Sequence, residues 1–321
     1  MGVVAIRTNM KRTAEFVSPK HPDKICDFIA DSILDAYMQE DIKSRVAVEV
    51  MGGHGLITIN GEVTSKANPD IELIVKGIVG DSYKIISNLV LQSPQIAQGV
   101  DTGGAGDQGI MKGYATNETV SLLPLEYELA RNLCKKVFEV YPYDGKTQVT
   151  IEDGKVTTVV VSFQNSKNDE LLKIVKDIIQ ADEYLINPAG EWDQGGFDAD
   201  TGLSGRKLIV DNYGPEITIG GGSFSGKDYT KVDRSGAYMA RKIAIDLLKK
   251  HNANEVFTKL AYAIGKNEPV MAIAVIDGKE VEITDYDLTP AGINNHLNFK
   301  DVKFKDTCTW GHFGRGFEWD R

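Results

Sequence analysis

Apolar residues recur along this chain in two rhythms, one of a helix and one of a strand. After Pro22, the residues Ile25, Phe28, Ile29 and Ile33 share a helical face, and the same spacing returns from Tyr127 to Val140 and from Tyr238 to Leu248. Pro22 suits a first helical turn, where an amide hydrogen has no partner within the helix. Each predicted helix leads into strand-like runs around a dipeptide that favours a two-residue hairpin: Asn60-Gly61 between LITI and EVTS, then Asp153-Gly154, then Asp277-Gly278. Shorter helices are predicted afterwards at Ile71 to Val79, Leu171 to Ile179 and Ala291 to Leu297. Helix, strand, hairpin, helix, used three times, predicts three α+β domains whose sheets cover one another through their apolar faces. Three such turns also arise by chance, because the dipeptides are common.

Composition narrows the classes. With 321 residues, 42% of them hydrophobic, the chain has material for a large core in two or three domains. A formal net charge of −10 argues against a nucleic-acid or anionic-membrane partner, so cations gathered in one segment answer a local demand. Cys26, Cys134 and Cys308 are odd in number and show no metal-ligand spacing, which fits reduced thiols. The start, MGVVAIRTNMKR, has no signal-peptide core, Ile6 spoils a myristoylation pattern, and no apolar run approaches a membrane span. A soluble, cytoplasmic protein is expected.

One segment stands apart chemically. Gly220 to Ser235, GGGSFSGKDYTKVDRS, holds four glycines, three cations and two carboxylates. Glycines let backbone amides approach an anion, and lysines neutralise its oxygens. Gly221 and Gly226-Lys227 have the spacing of a phosphate-binding P-loop, but Asp228 stands where a hydroxyl should meet magnesium, and the helical pattern starts only near Asp233. A glycine-rich surface turn explains the same letters. Three other segments are polar enough to compare. HPDK at His21 to Lys24 sets an imidazole, a carboxylate and an ammonium at a helix N-terminus, and equally reads as a capping group. GGAGDQG at Gly103 to Gly109 is flexible backbone around Asp107. DTGLSGRK at Asp200 to Lys207 ends in Arg206 and Lys207 before a strand-like LIVD, where adjacent cations also fit a solvated strand end.

Together these segments resemble the methionine adenosyltransferases, or S-adenosylmethionine synthetases. The chain carries HPDK, GAGDQG followed by GYATNET, GLSGRK, GGGSFSGKD, KVDRS and, at Gly311 to Arg315, GHFGR, in that family's order and across nearly the whole chain. The resemblance implies three similar α+β domains around a pseudo-threefold axis, with sheets packed inward and helices outside. Approximate boundaries are 1–101, 102–194 and 195–321, with strands exchanged between domains allowed. It implies attack of methionine sulfur on C5′ of ATP, release of triphosphate, and its hydrolysis to pyrophosphate and phosphate. A thioether has no proton to remove, so this chemistry needs alignment and charge stabilisation rather than a general base.

By motif match, His21, Lys146, Arg206, Lys227 and Lys231 are the expected catalytic groups, and Asp144, Trp192 and Lys207 join them in binding ATP. Asp23 and Asp233 are expected to hold magnesium, two ions per site, and Glu49 to hold potassium. Glu15, Glu62, Gln92, Asp107, Asp200 and Ile264 match methionine-binding positions; carboxylates and an amide suit its charged head, and Ile264 an apolar wall. A homodimer or a dimer of dimers is implied, with no nucleic-acid or membrane partner. The departures are Pro19-Lys20 before His21, where an acid and glycine are usual, a shortened connection from Asp101 to Gly106 that puts a mobile lid in doubt, and Glu191 to Gln194 beside the expected base contact. A catalytically weak regulatory relative is the alternative, against which stands the complete set of charges.

Overall fold

The computed structural model describes residues 10–93 and 103–321. Most of the N-terminal targeting reading and the start of the shortened lid lie outside the described residues. The first unit is β1 (Lys11–Val17), α1 (Pro22–Glu40), β2 (Arg45–Gly53), β3 (Leu56–Thr64), α2 (Ile71–Val79) and β4 (Lys84–Val90). The second is β5 (Gly109–Thr116), α3 (Leu125–Val140), β6 (Gly145–Glu152), β7 (Lys155–Phe163), α4 (Asn168–Ile178) and β8 (Glu183–Ile186). The remainder runs β9 (Gly202–Leu203), α5 (Leu208–Asp211), α6 (Val232–His251), β10 (Glu255–Tyr262), β11 (Met271–Ile276), β12 (Lys279–Glu282), α7 (Pro290–Leu297) and α8 (Phe304–Thr309).

Helix ends follow their capping chemistry. The His21 side chain accepts the Asp23 amide ahead of Pro22, and Asp70 and Thr289 cap α2 and α7 in the same way. Asn252 ends α6 in the left-handed conformation after Lys249, Lys250 and His251, cations that complement the negative end of a helix dipole.

Among the described residues, three four-stranded sheets form, in the orders β1-β6-β7-β8, β12-β11-β10-β5 and β4-β3-β2-β9. Each sheet takes an edge strand from elsewhere in the sequence: β1 precedes the first helix yet pairs with β6, β5 pairs with β10, and β9 pairs with β2. Asp153-Gly154 and Asp277-Gly278 make the expected turns, with φ of 51° and 77°, and 45° and 83°. Asn60-Gly61 does not. The first hairpin turns at His54-Gly55, φ 51° and 81°, and Asn60 and Gly61 lie within β3 opposite Glu49 and Val48. Gly61 is there because a Cβ would sit 2.1 Å from the Ala47 carbonyl oxygen. The third repeat is inexact as well. β3–β4 and β7–β8 are parallel pairs, whereas β11–β12 is a tight antiparallel hairpin. LIVD, read as strand-like, is the single helical turn α5.

The architecture is the expected α+β. α1 buries 13 of its 19 residues and α6 buries 13 of 20, while the sheet faces turned away from them expose Met51, Leu56, Ile86, Ile110, Leu185 and Leu203. The C-terminal segment packs against the long helices. Trp319 stacks on Tyr238 of α6 at 4.0 Å, Arg131 of α3 donates to the Phe313 carbonyl at 2.6 Å, and Asp35 of α1 accepts the Phe304 and Lys305 amides. The GHFGR motif is part of this plug, with His312 and Phe313 fully enclosed. Among the described residues, no helix is long and apolar enough to cross a membrane.

Candidate functional site

The glycine-rich segment lies along β2, continuing the edge that β9 begins. Val48 donates to the Gly226 carbonyl at 3.1 Å, the Asp228 amide donates to Val46 at 3.1 Å, and Val46 donates to Asp228 Oδ1 at 2.7 Å. Gly226, φ 81°, allows this approach, since a Cβ would meet the Val48 carbonyl oxygen at 2.0 Å. Asp228 is therefore an edge clamp that also takes the Thr230 amide and the Lys231 ammonium. α6 starts at Val232, five residues after Lys227. A P-loop needs its helix to begin at the lysine, so that reading is excluded.

Beyond the clamp, Lys227 Nζ holds Asp233 Oδ2 at 2.7 Å, with both side chains partly exposed. Gly222 backs this carboxylate so closely that a Cβ there would overlap it, and a Cβ on Gly109, the first residue of β5, would lie 3.5 Å from its Oδ1. The loop before β5 pairs at Ala105 with Gly265 and Lys266, the residues that follow Ile264. The Ala105 amide donates to Lys266 and Gly265 donates to Ala105, both at 2.8 Å, while Asp107 is exposed and accepts the Gln108 amide.

At the start of α1, His21 Nδ1 accepts the Asp23 amide at 3.2 Å, which leaves the proton of a neutral ring on Nε2. Burial, reinforced by the Lys207 and Lys146 ammoniums, pushes the imidazole down to about 3, with Asp23 opposing weakly, so the ring is neutral at physiological pH. Asp23 Oδ1 accepts the Leu203 amide at 2.9 Å, Oδ2 holds the Lys207 ammonium, and Arg206 stands 3.7 Å away. Burial alone would raise the Asp23 pKa. The Lys207 and Leu203 hydrogen bonds outweigh it and lower it.

Lys146, exposed on β6, lies opposite Ser162 of β7, and the Trp192 indole donates to Ser162 Oγ at 3.0 Å. Asp144 Oδ2 accepts the Gly196 amide at 2.9 Å, and burial raises its pKa. A cavity of about 620 Å³ shares Asp144 with these residues and is otherwise lined by Lys20, Ile25, Phe28, Ile78, Tyr83 and Phe197 among others.

Two bridges join the groups around His21 and Lys227. The Ser204 hydroxyl binds Glu49 Oε2 while accepting the Val50 amide at 3.0 Å, and desolvation raises the Glu49 pKa despite Ser204 and Lys227. Gly205 and Ser223 touch: a Cβ on Gly205 would lie 2.6 Å from Ser223 Oγ, an oxygen buried without a hydrogen-bond partner among the described residues. Glu62 is exposed on β3, inside a strand rather than past a turn, and Asp200 is exposed and accepts the Thr201 amide. Glu15, exposed on β1 opposite Gln148, and Gln92, whose Oε1 is buried without a partner, share no hydrogen bond with the cluster among the described residues.

The donor set fits a hard cation completed by phosphate oxygens. Asp23 and Asp233 each carry a lysine ammonium, and no group of three or more His, Cys, Asp or Glu among the described residues forms a cage. Magnesium takes one or two carboxylates plus phosphates and water in this manner. The orphaned Ser223 Oγ at the seam is a further oxygen of the right hardness.

Sequence reasoning missed Asp27, Asp31, Asp35 and Arg234. Arg234 is fully buried, pairs with Asp31 through two bonds of 2.7 and 2.9 Å, and donates also to the Lys227 carbonyl, Thr307 and Tyr238. The available signal was the spacing of Asp23, Asp27, Asp31 and Asp35, four residues apart along a helix otherwise read for its apolar face.

Residues 9–96, 102–192 and 194–321 match the N-terminal, central and C-terminal domains of S-adenosylmethionine synthetase. The chain is 40% identical to the S-adenosylmethionine synthase of Mycoplasmopsis pulmonis, over 94% of this chain and 93% of that protein. It is 38% identical to that of Desulforudis audaxviator, over 96% and 95%. Among solved structures, one described as an unusual S-adenosylmethionine synthetase from Campylobacter jejuni matches with a TM-score of 0.87 and 30% identity, over 97% of this chain and 96% of that one. Three domain matches in order, substantial identity over nearly all of the chain, and a shared fold make it a member of the S-adenosylmethionine synthetase family.

Proposed function

We propose that this protein joins L-methionine to ATP to make S-adenosylmethionine, acting as a methionine adenosyltransferase. The observation that carries the reading is the pair of lysine–carboxylate contacts, Lys207 on Asp23 and Lys227 on Asp233, on two glycine-rich segments that touch at Gly205 and Ser223. Such a seam suits a polyanion, because cations are already held in place while their carboxylates can turn to a metal. Methionine sulfur forms a bond to C5′, the C5′–O bond breaks, and its electron pair leaves on the triphosphate. His21, neutral and bearing its proton on Nε2, would donate to the departing oxygen. Lys146, Arg206, Lys207, Lys227 and Lys231 offset the charge that gathers there, Lys231 after release from Asp228. Asp144 and Trp192 serve the nucleoside. Glu15, Glu62, Gln92, Asp107, Asp200 and Ile264 serve methionine, in a site completed by a second copy of the chain.

Members of this family use metal ions. Here Asp23 and Asp233 would hold magnesium, and Glu49 potassium; bound there, they supply charge neutralisation of the phosphates. Self-association as a homodimer, or as a dimer of dimers, is supported by the exposed apolar sheet faces, where Met51 and Leu203 are register partners. A cytoplasmic setting fits the three buried free thiols.

With methionine, ATP, magnesium and potassium, the protein is expected to yield S-adenosylmethionine together with equal amounts of pyrophosphate and phosphate, detected by mass and by ion chromatography. ADP as the main nucleotide product would overturn the reading. Asp23→Asn and Asp233→Asn are each expected to raise the magnesium concentration for half-maximal activity by at least about tenfold, since an amide lacks the charge that offsets metal desolvation. Unchanged magnesium titrations in both would place the metal elsewhere.

A further inference from the structure

Four aspartates of α1, each one helical turn beyond the last, receive backbone amides from three separate segments. Asp23 accepts Leu203 at 2.9 Å, Asp27 Oδ1 accepts Gly205 at 2.8 Å, and Asp31 Oδ1 accepts Gly226 at 2.8 Å. Asp35 accepts Phe304 and Lys305 at 2.8 and 3.1 Å. Successive acceptors four residues apart are spaced about 6 Å along a helix axis. The rigid helix therefore sets how far the segment ending in Arg206 and Lys207 stands from the segment ending in Lys227.

We propose that Asp27 is a positioning residue which fixes the spacing between these two segments, so that their lysines address one polyphosphate chain together. The proposal rests on the triphosphate reading above. Asp27 is the informative member of the row. Asp23 is itself an expected metal ligand, Asp31 neutralises a buried guanidinium, and Asp35 holds the C-terminal plug. Asp27 sits between the two segments, where its second oxygen takes Lys24 Nζ at 3.2 Å, and Lys24 retains Asp211 as a further carboxylate partner. The charge of Asp27 is thus shared with another group, whereas its bond to the Gly205 amide is not. No side chain fits between the segments at Gly205 and Ser223, so a displacement at Gly205 passes directly to the glycine-rich segment.

The test is the affinity of the full-length protein for inorganic tripolyphosphate with magnesium, by titration calorimetry. Asp27→Asn keeps an oxygen at the same reach and is expected to bind within about threefold of wild type. Asp27→Glu keeps the charge but moves the oxygen outward by one methylene, and Asp27→Ala removes it; both are expected to lose about tenfold or more, as misplacement of about an ångström commonly costs that much or more. Asp35→Asn, in the same row, is expected to bind as wild type. Affinity that follows charge, with Asp27→Glu equal to wild type and Asp27→Asn impaired, would overturn the assignment. So would equal binding by all three variants. If Asp27→Glu does not fold, the contrast between Asp27→Asn and Asp27→Ala decides. Wild-type protein that does not bind tripolyphosphate would remove the triphosphate reading itself and the inference with it.

Discussion

Arg234→Ala is expected to cost about 3–5 kcal/mol of stability, the magnitude typical when one partner of a buried ion pair is removed and the other is left uncompensated. The geometry explains why this site belongs at the costly end. Its guanidinium donates twice to Asp31, once to the Lys227 carbonyl, once to Thr307 and once to Tyr238, and lies 4.4 Å from the Phe304 ring centre. Every N–H is used, and removing them strands acceptors on α1, the glycine-rich segment and the C-terminal plug at once. Arg234→Lys should recover only part of the loss, because one ammonium cannot reproduce a planar fork. The measurement is the urea or thermal midpoint of each variant. A shift for Arg234→Ala as small as that of an exposed lysine variant would refute the account.

Lys227→Ala is expected to leave folding nearly intact while lowering kcat/KM by about 2–4 kcal/mol, or about 30- to 1,000-fold, as for other single preorganised electrostatic groups. Its ammonium contacts Asp233 at a partly exposed position, where water can take over the hydrogen bonds, unlike the fully buried Arg234–Asp31 pair. Its backbone, by contrast, bridges to Ala47 and accepts from Arg234, and survives the substitution. The two neighbours on the chain, Lys227 and Arg234, should therefore separate cleanly into loss of turnover and loss of structure. Normal turnover in Lys227→Ala would return the lysine to an ordinary surface role.

The contrast also shows what could be read from the letters. Asp153-Gly154 and Asp277-Gly278 announced their turns because both dipeptides need the left-handed backbone they adopt. Asn60-Gly61 carried the same signal for a different reason, the close approach of Gly61 to Ala47, and the turn fell to His54-Gly55, which the dipeptide preference ranks lower. The segments His21 to Lys24, Gly202 to Lys207 and Gly220 to Asp233 were legible as chemistry, and the fold brings them together. Their relative placement was not legible, because it depends on aspartates buried inside α1 and on an arginine making five hydrogen bonds to four residues from separate parts of the chain. Edge-strand exchange left no local mark either, since nothing in the residues of β1, β5 or β9 names the strand that each will pair with.

That exchange governs how the molecule can be made. A chain emerging from the ribosome folds its N-terminal regions first where it can, but residues 11–17 find no sheet until residues 146–152 exist, and residues 51–52 gain their edge partner only with residues 202–203. Residues 109–116 in turn wait for 255–262. The first two thirds of the polypeptide are thus synthesised with strands that only later sequence can pair, and such distant pairings are slow to form. Until the last strands arrive, the nascent chain exposes unpaired edges open to pairing with other chains, and assembly completes as a late, concerted event rather than one domain at a time.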